Sequence, residues 1–61
     1  MRLFDLLALM DYNAYIFVKK GESYIYKGMV EDTPRYIFNQ DVIHQAFYSD
    51  GGACGICFEL L

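Results

Sequence analysis

The longest basic run in this 61-residue chain is Lys19-Lys20, and five Lys and Arg stand against eight Asp and Glu, a formal net charge of −3. Nucleic-acid affinity comes largely from neutralising phosphates with a basic patch, so this balance argues against a nucleic-acid partner. Another protein with a basic surface is the more natural complement. Cysteine is scarce: Cys54 and Cys57 are too few for the disulfide framework of a small secreted domain. No stretch of about 18 consecutive apolar residues occurs, so neither a transmembrane helix nor a membrane partner is expected. Asp5 interrupts the apolar run from Leu3 to Met10 and no small-residue cleavage pattern follows, so no signal peptide is read there. The expected location is the cytoplasm. Tryptophan is absent, and Pro34 and His44 are the only residues of their kinds.

What is plentiful is apolar and aromatic. Hydrophobic residues make up 56%, with six Tyr and five Phe. A chain of this length forms a single domain, residues 1–61, that buries only about 60% of its unfolded surface. One small core has no room for every ring, so some aromatic surface is expected to meet another chain, including a second copy of this one.

Leu3, Leu6, Leu7 and Met10 fall on one stripe of a 3.6-residue period, which predicts a helix over 2–10. Residues 14–19 are β-branched and aromatic and predict a strand. Lys20-Gly21-Glu22 predicts a tight turn, and 23–30 the returning strand, with Gly28 marking a bulge. Glu31-Asp32-Thr33-Pro34 predicts a helix start, capped by Asp32 or Thr33 with Pro34 at its first position, running over 34–39. Strands over 42–48 and 53–60 flank Ser49-Asp50-Gly51-Gly52, the strongest hairpin signal in the chain. The predicted class is α+β, in the order α-β-β-α-β-β: a small antiparallel sheet of two hairpins packed on an N-terminal helix and a short second helix.

Strand alternation then assigns faces. In the first hairpin Ile16, Val18 and Ile25 share one face, and Tyr15, Phe17, Tyr24 and Tyr26 the other. In the second, Ile43, Phe47, Cys54, Ile56 and Phe58 form the core set, opposite Val42, His44, Ala46, Tyr48, Gly55, Cys57 and Glu59. With the helices on the aliphatic side, the uncovered face presents Tyr15, Phe17, Tyr24, Tyr26, His44 and Tyr48 as the candidate partner-binding surface. Tyrosine offers contact area, few torsions and a polar tip. The bland alternative is cross-strand aromatic pairing that only steadies the hairpins.

Chemistry finds little support. C-G-I-C at Cys54–Cys57 has redox spacing, but that chemistry wants the first thiol at a helix N-terminus. Here the pair lies in a predicted strand, where residues three apart point to opposite faces. Zinc needs four ligands, so Cys54, Cys57 and His44 would serve only in a site shared across a dimer; two packed thiols are the commoner outcome. His44, Ser23 and Ser49 sit in no catalytic motif. Asp5, Asp11, Glu31, Asp32 and Asp41 cap or solvate, and no phosphate loop occurs. No cofactor is expected, and the chain reads as a non-enzymatic protein.

The opening L-F-D-L-L at Leu3–Leu7, the Y-I-F-V and Y-I-Y-K-G strands and the E-D-T-P helix start resemble small proteins encoded by bacteriophages and prophages. That resemblance implies a bacterial host cell. It also implies a protein-binding inhibitor of a defence nuclease, similar to anti-CRISPR proteins that occupy basic nucleic-acid grooves. It carries no site residue with it. The competing expectation is a homo-oligomeric structural or accessory phage protein.

Overall fold

A computed structural model describes the whole chain, Met1–Leu61. One short helix, α1 (Leu3–Leu7), precedes strands β1 (Tyr15–Lys20) and β2 (Ser23–Met29). Two 3₁₀ turns, Val30–Asp32 and Arg35–Ile37, lead to β3 (Val42–Asp50) and β4 (Ala53–Leu60).

Both hairpins form as the turn residues dictate. Gly21 has φ 63° at the first position of a two-residue loop closed by Lys20 and Ser23. Gly51 and Gly52 are both at positive φ between Asp50 and Ala53, the pattern that follows the right-handed twist of the flanking strands.

The expected all-antiparallel sheet with two packed helices is overturned. The strand order is β2-β1-β4-β3, and β1 pairs with β4 in parallel. Strand accounts for 52% of the chain and helix for 18%, so this is a mixed four-stranded sheet with a thin helical cover. The connection over 30–41 carries the chain from one sheet edge to the other, which leaves β1 and β4 to meet in the middle. Their junction needs Gly55, because a Cβ there would run into the Tyr15 carbonyl.

The second helix does not form. Pro34 disfavours helical backbone in the residue before it, and Thr33 accordingly sits at ψ 128°. Pro34 is itself extended at ψ 135°, and neither turn has a side-chain cap. The few residues left before Gln40 are too few to nucleate an α-helix. Thr33 is instead buried, its hydroxyl 3.5 Å from the Met29 carbonyl.

The core lies between the sheet and a cover made by α1 and the 3₁₀ turn at Arg35–Ile37: Leu3, Leu7, Ile16, Val18, Ile37, Phe58 and Leu60. Two bulges alter the expected faces. Ile25 is left unpaired, since Lys19 faces Tyr24 and Val18 faces Tyr26. A bulged residue flips the alternation, so Tyr26 turns to the core while Tyr24 stays opposite. The predicted bulge at Gly28 is absent: Gly28 pairs with Ile16, and a Cβ there would collide with the Tyr26 ring. The second bulge, at Ile43, separates the Val42–Leu60 pair from His44–Glu59. It brings Val42 against the core and leaves Ile43 57% exposed. Phe47, also expected in the core, is 74% exposed, and Cys54 lies at the surface.

Candidate functional site: the aromatic face and the β3 edge

On the sheet face away from α1, alternation sets Tyr15, Phe17 and Lys19 on β1 beside Tyr24 and Lys27 on β2 and His44, Ala46 and Tyr48 on β3. Phe17 is enclosed, 1% exposed. Tyr15 meets it edge-on at 5.2 Å between ring centroids, and Tyr48 at 5.0 Å. Tyr24 lies 6.4 Å from Phe17 and stacks on Tyr48 at 5.9 Å. Tyr24 and Tyr48 come from opposite sheet edges, so the sheet curls until those edges meet over Phe17. Lys27 completes the closure, its Nζ 4.9 Å above the Tyr24 ring and 3.3 Å from the Asp50 carboxylate.

Four of the six expected surface residues are thus gathered into one cluster: Tyr15, Phe17, Tyr24 and Tyr48. Two corrections follow. Phe17 forms a small second core and presents nothing to a partner. Tyr26 belongs to the other face, where its hydroxyl donates to the Met29 carbonyl. Burial raises the Tyr26 pKa, with the nearby Asp32 charge adding to it. His44 stands on the open face away from the ring cluster, opposite Glu59. Tyr24 and Tyr48 remain about one-third exposed.

Beside the tyrosine pair runs a groove of about 250 Å³ whose lining includes Lys19, His44, Ala46, Cys57 and Glu59. Burial pushes the Cys57 thiol up, against an opposing pull from Lys19. A raised thiol pKa keeps Cys57 protonated at neutral pH, the reverse of an activated nucleophile. Cys54 and Cys57 are both free thiols. Cys54 pairs with Ser49 and Cys57 with Ala46, on opposite faces of β4, so Cys54, Cys57 and His44 do not converge on one point. No group of three His, Cys, Asp or Glu is close enough to hold a metal ion.

The feature that sequence reasoning missed is the free edge of β3. Placing β3 outermost requires the parallel β1–β4 pairing, which no local pattern reveals. From Ile43 onward its outer side has no strand beside it. Between Asp41 and Asp50 it carries no Lys, Arg or Pro, the residues that usually blunt an edge. The one available signal was the strand read over 42–48, which contains no Lys, Arg, Asp or Glu.

No protein-family model, curated protein or solved structure matches this chain. No helix is long and apolar enough to cross a membrane.

Proposed function

We propose that the chain is a non-enzymatic protein-binding module whose contact surface is the β3 edge with its flanking side chains. One observation carries this reading: a long edge strand, unblunted by Lys, Arg or Pro, presents Phe47 74% exposed beside Ile43 at 57%. Exposed strand edges recruit partner strands through backbone hydrogen bonds, with alternate side chains supplying selectivity. The expected docking surface therefore moves from the tyrosine cluster, which largely satisfies itself, to the neighbouring edge. The protonated Cys57 thiol and the divergent Cys54 fit binding better than covalent chemistry.

A second reading concerns the partner's charge. The Glu31 N–H donates to the Tyr12 carbonyl, which holds Asp11, Glu31 and Asp32, all exposed, at one end of the molecule. Such an acidic end suits a basic protein surface, including the nucleic-acid groove of a bacterial defence nuclease. Both readings are tested by capture from host lysate with tagged wild-type chain and Phe47→Asp, at low and high salt. The edge reading expects Phe47→Asp to lose captured protein at least tenfold at both salts. The acidic-end reading expects capture to fall with salt and to survive the substitution, because exposed charges are screened. Equal capture by both chains removes the edge reading.

A further inference from the structure

Which backbone groups of β3 point outward is fixed by contacts near its start. The Leu61 N–H donates to the Asp41 carbonyl at 2.9 Å, while the Val42 N–H turns the other way, to the Met1 carbonyl at 2.8 Å. The Leu3 N–H bonds the Gln40 carbonyl, and Arg2 bridges Asp41. The N-terminal segment therefore covers the outer side of β3 only as far as Val42. Beyond it the Ile43 bulge inserts one residue, so the next outward-pointing N–H and C=O groups belong to Gln45, Phe47 and Ser49.

We propose that the occupant of this edge is a second copy of the chain, paired antiparallel through His44–Asp50 about a two-fold axis at Phe47. The proposal rests on the reading of β3 as a docking strand. In this register Phe47 meets its own copy and Gln45 meets Ser49, so the outward backbone groups face one another and exchange hydrogen bonds. On the open face Ala46 meets Tyr48, a small side chain under a large one. His44 meets Asp50, an imidazole N–H opposite a carboxylate whose other known contact is Lys27 at 3.3 Å. Neighbouring registers do worse. Centring on Ala46 sets that small residue against itself and drives the pairing into the Ile43 bulge, and centring on Tyr48 shortens it to Ala46–Asp50.

The copy's turn has room to arrive. A cavity of about 270 Å³ lined by Met1, Leu6, Val42, Ile43, His44 and Gln45 lies where the copy's Gly51 would come to rest, and glycine brings no side chain into it. The paired stretch is about 24 Å long at about 3.4 Å per residue and about 10 Å high across the sheet. That covers several hundred Å² per copy, toward the transient end of specific interfaces, below about 1,200 Å² in total. The dimer is therefore concentration-dependent.

Sedimentation equilibrium of the full chain tests this. The expected average mass rises from 7.1 kDa in dilute solution toward twice that value with concentration. Phe47→Asp weakens association at least tenfold, with circular dichroism confirming the fold. His44→Asp, which sets like charges opposite each other, does the same, and the reversed pair His44→Asp with Asp50→His restores it. Tyr36→Asp, equally exposed but off the edge, changes nothing. A mass fixed at the monomer up to millimolar concentration, a dimer indifferent to Phe47→Asp, or no restoration by the reversed pair overturns the proposal. A monomeric wild type whose partner capture still depends on Phe47 overturns self-pairing alone. A chain insensitive to Phe47→Asp in both assays overturns the docking-strand reading as well.

Discussion

The Tyr24 hydroxyl holds its proton more tightly than a free phenol. Its pKa is pushed up to about 12, first by the neighbouring Tyr48 side chain, which favours the protonated form, then by desolvation, then by the negative charges of Tyr48, Cys57 and Asp50. A folded pKa raised above the unfolded value of about 10 gives stability that is complete below pH ~10 and lost as pH climbs toward about 12. Replacing Tyr48 by Phe removes the largest cause. The phenolate absorbance of Tyr24 should then appear at lower pH, and the stability lost between pH ~10 and about 12 should shrink. At this scale the sequence was partly legible. Tyr15, Phe17, Tyr24 and Tyr48 do share a face, because period-2 alternation needs only the strand and its turn. Tyr26 and Val42 were misplaced because each lies across a bulge from its neighbours, and neither Ile25 nor Ile43 carries a residue type that announces one.

Among the elements, β1 and β4 are hydrogen-bonded on both sides, while β2 and β3 each have one free side. Amide exchange in dilute solution should be slowest in β1 and β4. The amides of Gln45, Phe47 and Ser49 should exchange fast despite lying inside a strand, and gain protection as concentration rises. Protection of these three in dilute monomer would mean that their N–H groups point inward. The strands and both tight turns were readable because β-branched runs and glycine pairs act locally. The second helix was misread because Pro34 was taken as its first residue, whereas proline's constraint on Thr33 and its own extended backbone ended any helix there. Strand order lay beyond local reading: it depends on where a long connection lands, and on one glycine thin enough to let two backbones approach.

The whole molecule is thinly insulated. Nine of its 61 residues are buried, and a core this small supplies only about 3–5 kcal/mol. Ile16, fully enclosed between β4 and the helical cover, should cost about 2–5 kcal/mol when cut to Ala, enough to leave much of the population unfolded. A thermal melt checks this; a midpoint unchanged by the substitution would show that the core lies elsewhere. Phe17 has a different consequence, for the order in which the structure assembles. The middle of strand β1 is lined on one side by Ile16 and Val18 and on the other by Phe17, so it is buried on both faces. Either hairpin alone would leave one of those linings bare, and an isolated hairpin is at best marginal in water. The two ribbons close within microseconds, but neither survives until residues 16 and 56 find each other across about two thirds of the chain. That late encounter sets the pace of folding.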